Sequence, residues 1–380
     1  RRTLFGFRQV DQKANIKNVQ LIERASKDQE GLVKELKSVG FWKGNSSKQE
    51  MKFNAVVGNP PYQIKDGGAG ASAKPIYNQF VDLAKAIKPN YMSMIMPAKW
   101  YTDGKGLGSF RDAMLNDKQI SKLVDFTDSR DCFDNVDIAG GVCYFFWVHN
   151  RNGLCEFVSR HRGKFKSSMR DLAADDSFIR HLEAVDIVDK VKSNCDVFYN
   201  TRVSTQKPFG LRTYMKPLDE GDLTLKYNKG KGPYNSSLIE IGKEMISKWK
   251  ITISCLTAEH AGQTDKQGRK KILSSLDMLI PNEICTETYL VVDAFDTELE
   301  AKALQSYLKT CFVRFLISLL ASTQHLSKEK FAYVPLQDFT SNSDIDWSQS
   351  IADIDRQLYA KYGLSDEEIA FIEKMIKPME

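Results

Sequence analysis

The 380-residue sequence predicts an α/β first domain over residues 1–175, an α+β second domain over 176–345 and a short helical tail over 346–380. Three observations carry that reading. Apolar runs of strand length alternate with helical periodicities from Phe53 to Val148, a pattern that places helices on the faces of a parallel sheet. Past His149 this alternation breaks up, and from Asp196 to Leu273 lysines and arginines outnumber acids. After Ser350 a helical period returns. No apolar run reaches the length of a bilayer span, and Arg1-Arg2 opens no signal-type hydrophobic region. A cytoplasmic protein with no membrane partner is expected.

Taken in order, Ile16 to Val39 carries apolar positions amid Lys, Glu and Gln, as amphipathic helices do. Glu35-Leu36-Lys37 and Glu50-Met51-Lys52 have the ending of a nuclease Asp…Glu-x-Lys site, a pattern common by chance, and read as solvated helix faces. Phe53 to Val57 has the composition of a buried strand, and Gly58 stops it. Pro60 and Pro61 then fix φ and bias Asn59 toward an extended conformation, so the carbonyls of this turn point in a defined direction. An amide oxygen beside such a carbonyl can accept both hydrogens of an exocyclic amine, and Tyr62 offers a flat face to a planar base. A stiff turn with a packed aromatic is the other reading of Asn59-Pro60-Pro61-Tyr62. The small residues Asp66 to Ala73 read either as a flap over that loop or as a surface linker.

Pro75 is expected to begin a helix with Ile76, Phe80, Leu83, Ala84 and Ile87 on one face. Strands follow at Tyr91–Pro97, Ile120–Phe126 and Gly141–Val148, with a helix over Leu107–Leu115 between the first two. The run Val142 to Trp147 is apolar on both faces, as an interior strand would be. Phe178 to Val191 reads as a connecting helix, and short strands are expected near Leu223-Thr224-Leu225 and Ile251 to Ser254. Leu299 to Leu320 reads as one long helix and Phe331 to Leu336 as a strand, with His325 a lone structural histidine. Helices at Ser350–Tyr359 and Ser365–Ile376 close the chain, the second with Ser365 and Glu368 as a capping box. Seven cysteines lie singly from Cys132 to Cys311 without metal-ligand spacing, so they read as reduced core residues and no metal is expected.

The net charge of +5 permits a nucleic-acid partner without demanding one. Lys207, Arg212, Lys229, Lys231, Lys266, Arg269, Lys270 and Lys271 are the candidate DNA contacts, several of them flanked by Phe209, Tyr214, Tyr227 and Tyr234. Cations suit phosphates, and amides and aromatics between them suit bases. Taken alone, each cluster is more often a solvated loop. Gly262 to Lys271 reads as a polar finger long enough to enter a groove.

Asn59-Pro60-Pro61-Tyr62 at a strand end resembles the signature of amino-group methyltransferases, above all the adenine-N6 DNA methyltransferases. Lys74 to Phe80, Ile95-Met96-Pro97, Phe110-Arg111, Val124-Asp125-Phe126 and Cys132 to Val136 follow in the order of gamma-arranged members. They are similar to the methylase part of type IIG restriction-modification enzymes. The resemblance covers most of residues 53 to 380. It implies a partial Rossmann-like methyltransferase sheet followed by a DNA target recognition domain, with double-stranded DNA as partner and S-adenosylmethionine as cofactor. It also makes Asn59, Pro60, Pro61 and Tyr62 the expected catalytic loop. The Asn59 side chain and Pro60 carbonyl would hold the target amine, Tyr62 would stack on the flipped base, and Phe133 would clamp it. A plain core residue is the other reading of Phe133.

One departure matters. The family binds its cofactor chiefly through an Asp-x-x-x-Gly-x-Gly loop upstream of the signature, and no such loop precedes Asn59. Leu4-Phe5-Gly6-Phe7 has a single glycine, and Gly104-Lys105-Gly106-Leu107-Gly108 comes too late. The main cofactor loop is therefore expected in a preceding N-terminal portion or a partner subunit. Three functions stay open: adenine methylation within a restriction-modification system, a non-catalytic DNA-recognition fragment or subunit, and methylation of a protein glutamine. The basic second domain counts against the last.

Overall fold

The computed structural model describes residues 28–43, 49–50, 52–64, 74–101, 106–133, 138, 140–161, 163–174, 178–258, 265, 267–321 and 325–379. The chain divides into two compact units, Arg1–Arg180 and His181–Glu380.

In the first unit α1 (Gln29–Lys37) starts at Asp28, whose carboxylate caps the Gly31 N–H, and buries Leu32 and Leu36. After α2 (Val39–Lys43) come β1 (Ala55–Gly58), the short pair β2 (Gln63–Ile64) and β3 (Lys74–Pro75), and α3 (Tyr77–Ile87). Pro75 does not open the helix as expected. It pairs with Gln63 in β3, and the Ile76 N–H donates to the Tyr62 carbonyl, so the helix starts two residues later. β4 (Tyr91–Pro97), α4 (Gly108–Leu115), β5 (Ile120–Phe126), β6 (Val142–Val148), β7 (Cys155–His161) and β8 (Lys164–Arg170) complete the unit.

These strands form one six-stranded sheet in the order β1-β4-β6-β5-β7-β8. The expected α/β class holds, but the sheet is mixed rather than parallel. β1 with β4 and β5 with β7 are parallel, whereas β6 runs antiparallel to both of its neighbours. A parallel return needs a crossover, usually a helix. The connection from Phe126 to Val142 has only the 3-10 turn Ser129–Asp131 among its described residues and delivers the chain back at the same end of the sheet. β6 is interior, as its two apolar faces require. Val56, Met92, Met94, Phe145 and Phe157 are all fully or almost fully buried, and strand alternation puts them on one face.

In the second unit α5 (Leu182–Ser193) precedes two small sheets. One pairs the hairpin β9 (Leu223–Tyr227) and β10 (Gly230–Tyr234) with the short parallel strand β13 (Glu283–Cys285); the other sets β11 (Trp249–Ser254) antiparallel between β12 (Leu276–Leu279) and β14 (Tyr289–Phe295). Phe209, Leu211, Leu225, Leu279, Ile284 and Val291 share one core across them.

The helix expected over Leu299–Leu320 is two helices, α6 (Glu298–Lys309) and α7 (Cys311–Leu320), bent by 66°. Thr310 breaks them: its backbone is extended, and its hydroxyl caps the Val313 N–H. The Asp355 carboxylate takes the next two free amides, of Cys311 and Phe312, at 2.8 and 2.9 Å. The strand expected over Phe331–Leu336 is instead a 3-10 turn, Lys328–Phe331, followed by one isolated bridge from Pro335 to Phe198; proline withholds the amide a longer ladder needs. The tail forms α8 (Ile351–Lys361) and α9 (Asp366–Met375), with the Ser365–Glu368 capping box in place. Among the described residues no single helix is long and apolar enough to cross a membrane.

Candidate active site

β1 delivers the Asn59-Pro60-Pro61-Tyr62 turn at its C-terminal end, beside the C-terminal end of parallel β4. Because β6 is antiparallel to β4 and β5, its first residue Val142 pairs with both Pro97 and Phe126. The segment carrying Phe133 therefore emerges at the same end of the sheet as the Asn59 turn. Two loops far apart in sequence meet through strand order alone.

Within the turn Asn59 is exposed, Pro60 is buried, and Pro61 and Tyr62 are half-buried. The Tyr62 carbonyl accepts the Ile76 N–H at 3.2 Å, which ties the turn to the start of α3. The buried hydroxyl of Tyr77 and the side-chain oxygen of Asn78 find no hydrogen-bond partner among the described residues. Burial pushes the Tyr62 phenol up to about 12, with the Cys132 and Cys143 thiols adding to it and the Asn59 side chain offsetting part. Burial raises Tyr77 and Tyr101 as well. Cys143 lies near all three rings and accepts the Trp100 indole N–H at 3.2 Å. All three phenols are thus neutral at physiological pH and can orient a polar group without acting as bases.

Phe133 is half-buried against Val124, Phe126, Val142 and Val158, and its amide donates to the Ser129 carbonyl at 2.9 Å. Below this segment lies a feature that sequence spacing did not single out. Asp125 is fully buried on β5 and receives two bonds from Arg180, Nε at 2.8 Å and Nη2 at 2.7 Å. Arg180 Nη1 also donates to the Gly140 carbonyl at 2.7 Å, and the guanidinium lies over the Tyr101 ring. Gly141, at φ +76°, closes the loop; a Cβ there would lie 2.1 Å from the Phe126 carbonyl. Val124-Asp125-Phe126 marked one partner, but nothing in the sequence pairs it with Arg180.

In the second unit the candidate cations fall into separate groups. Arg212, Lys229 and Lys231 belong to the lobe built on β10-β9-β13: Lys229 is exposed at the hairpin turn, Lys231 bonds Glu283 at 2.6 Å, and Arg212 lies 3.7 Å from Glu287. Lys207 sits at φ +73° in the loop before Phe209. Arg269 pairs with Asp265, and Lys270 bonds through its backbone to Met375 and Lys377 beside the last helix. Lys271 gives its carbonyl to the buried Arg314. Of the expected finger, residues 262–264 and Lys266 lie outside the described residues.

Residues 1–133 match the Eco57I restriction-modification methylase family. The resemblance read from Asn59 to Tyr62 is thereby borne out at the level of the family. The chain is also 37% identical over 132 residues to an "Uncharacterized adenine-specific methylase" of Mycoplasma pneumoniae (strain ATCC 29342 / M129 / Subtype 1), covering 34% of this chain and 31% of that protein. The chain thus matches less than a third of the curated relative's length. It is also similar to the type IIL restriction-modification enzyme MmeI in complex with DNA, at 10% identity over 84% of this chain and 56% of that one, with a TM-score of 0.44. The type IIG restriction endonuclease BpuSI is similar at 12% identity over 84% and 52%, with a TM-score of 0.36. Superpositions at these scores carry no argument about chemistry.

A methylase of this family implies S-adenosylmethionine as methyl donor, and the described residues do not fit that group. β1 ends in Pro-Pro, and β4 leads into a 3-10 turn whose Trp100 and Tyr101 are buried in the core. Gly108 opens α4, and residues 102–105, which join it to that turn, lie outside the described residues. Among the described residues no glycine-rich turn carries a strand directly into a helix.

Proposed function

We propose that the chain is the target-base and DNA-reading portion of an adenine-N6 DNA methyltransferase in a restriction-modification system, acting on double-stranded DNA with S-adenosylmethionine as donor. The carrying observation is the Asn59-Pro60-Pro61-Tyr62 turn, fixed at the end of a parallel strand with an exposed amide next to a buried proline and a half-buried ring. The amino group of adenine is a poor nucleophile because its lone pair is delocalised into the ring. Two acceptors, the Asn59 side-chain oxygen and the Pro60 carbonyl, favour a pyramidal nitrogen whose lone pair is directed away from the ring plane. Tyr62 and Phe133 hold the extruded base by its faces. No base is needed before attack, since the nitrogen can lose its proton afterwards, and the neutral phenols around Cys143 suit a site of that kind.

A second reading, a DNA-reading subunit that depends on a partner for the cofactor, is favoured by the poor fit of the described residues to that group. The two separate in one experiment. The chain is mixed with duplexes carrying 2-aminopurine at adenine positions, and labelled methyl transfer is followed with and without the remainder of the parent protein. Fluorescence gain together with methyl transfer that requires Asn59 supports the enzyme reading. Duplex binding without extrusion of any base supports the subunit reading instead.

A further inference from the structure

We infer that Tyr214 is a base-contacting residue of the second unit: its ring packs on base edges in a groove of the bound duplex and supplies affinity that does not come from phosphate charge. The inference rests on the DNA-reading role proposed above. Tyr214 is 76% exposed, the most exposed aromatic ring among the described residues. A tyrosine ring offers a large apolar face with a polar tip, and here it is held out on a fixed support between two exposed cations of the chain, Arg212 and Lys216.

The support is built from both sides. Phe209 and Leu211 are sunk in the core before the turn, and Met215 packs on the same core after it. The Met215 N–H donates to the Arg212 carbonyl at 3.1 Å, closing a tight turn with Thr213 and Tyr214 at its tip. Glu287 accepts the Thr213 amide at 3.1 Å and the Thr213 hydroxyl at 3.4 Å, while its own amide donates to Leu211 at 2.9 Å. Downstream, the Leu218 N–H donates to the Pro233 carbonyl at 2.8 Å, and Pro217 sits so close to Gly232 that a Cβ there would lie 2.6 Å from it. The turn is therefore locked to the β9–β10 hairpin, with Lys229 exposed at the hairpin's own tip.

The surroundings favour nucleic acid over a protein partner. Arg212 and Lys216 flank the ring in sequence and are exposed. Glu287 offsets the Arg212 charge, so the exposed Lys216 and Lys229 are the cations that bring a duplex near, while the ring makes the contact that needs no charge. An apolar contact with base edges releases no counterions, so unlike a phosphate contact it adds nothing to the salt dependence.

The test uses the full chain and a fluorescein-labelled duplex pool with a randomised centre, titrated across a range of salt concentrations. Tyr214→Ala is expected to weaken binding about tenfold with an unchanged slope of log affinity against log salt, and Tyr214→Phe to bind like the wild type. Lys229→Ala, which removes the exposed cation at the hairpin tip, should instead flatten the slope by about one. Equal thermal melts show that the variants fold. Wild-type binding that Tyr214→Ala leaves intact overturns the inference but not the DNA-reading role. Equal losses for Ala and Phe, or a loss with a flattened slope, also overturn it, since hydroxyl or charge would then be the contact. If the wild type binds no duplex at any salt, the inference falls together with the reading beneath it.

Discussion

Replacing Arg180 by Met should cost this protein about 3 kcal/mol, at the lower end of the roughly 3–5 kcal/mol for breaking a buried ion pair. Asp125 has no exposed surface, so losing its partner leaves a carboxylate in the core with two acceptors open. The lower end applies because the Arg180 side chain is 23% exposed and water relieves part of the loss on its side. Asp125→Leu should cost about as much, by stranding a guanidinium that keeps only the Gly140 carbonyl. The double variant tests the argument. With both charges gone and apolar groups in their place, the cost should return to about 3 kcal/mol or less rather than the sum of about 6. Urea unfolding of the four proteins supplies the cycle, with equal m-values as the check that each unfolds from the same compact state. Additive losses would refute the view that Asp125 and Arg180 act as one unit. Because Gly140 borders the Phe133 segment, exchange of the Ile138 amide, which donates to Ser129 Oγ at 2.8 Å, should quicken in Arg180→Met.

Three further outcomes are expected. In an assembly that includes the cofactor-binding portion, Asn59→Ala should lower the methyl-transfer rate by about 100-fold or more while duplex binding survives, since one well-placed polar group is worth that much at a reacting centre; near-normal transfer would leave the turn merely structural. Tyr62→Phe should capture a flipped base as well as the wild type, because the ring face and not the hydroxyl makes the stack, whereas Tyr62→Ala should lose about 1–3 kcal/mol of base stacking in 2-aminopurine titrations. Burial pushes Asp355 up to about 6, so the native state holds a proton that the unfolded chain releases near pH 4; the stability this contributes is present below pH 4 and is lost as pH rises through 6. Denaturation curves from pH 4 to 7 should show that loss in the wild type and a flatter profile in Asp355→Asn.

The strands that were legible in the sequence are those whose side chains are sorted by burial. β1, β4, β5 and β6 read as apolar runs because at least one face of each is packed. β8 was missed for the opposite reason. Lys164-Phe165-Lys166-Ser167-Ser168-Met169-Arg170 lies at the edge of the sheet with most of its residues exposed, so nothing constrains the alternation and the segment reads only as basic. β13 escaped for being three residues long, although all three are buried. The direction of β6 was unreadable for a third reason. Whether a strand returns parallel or antiparallel is decided by its connection, and the residues between Phe126 and Val142 carry no period of either kind.

The candidate site shows the same division between local and distant information. Asn59-Pro60-Pro61-Tyr62 could be read because four contiguous residues set their own geometry: two prolines fix the turn wherever the strand ends. The cations could be found by type but not weighed, since their partners come from elsewhere in the chain. Lys231 and Arg212 look like free phosphate ligands until β13 brings Glu283 and Glu287 against them. Lys250 shows how far this can go. In sequence it is one more lysine of the basic region, yet it is fully buried, and its ammonium donates to the carbonyls of Met245, Ile246, Lys248 and Ile280 at 2.6 to 3.4 Å. While this packing holds, its ammonium is out of reach of a phosphate. Lys250→Met should cost about 3 kcal/mol or more, because buried carbonyls left without a donor lose roughly 1–3 kcal/mol each, and should leave the salt dependence of duplex binding unchanged. A flattened salt slope in that variant would mean that Lys250 reaches phosphate after all, and that the packing around β11 opens when DNA binds.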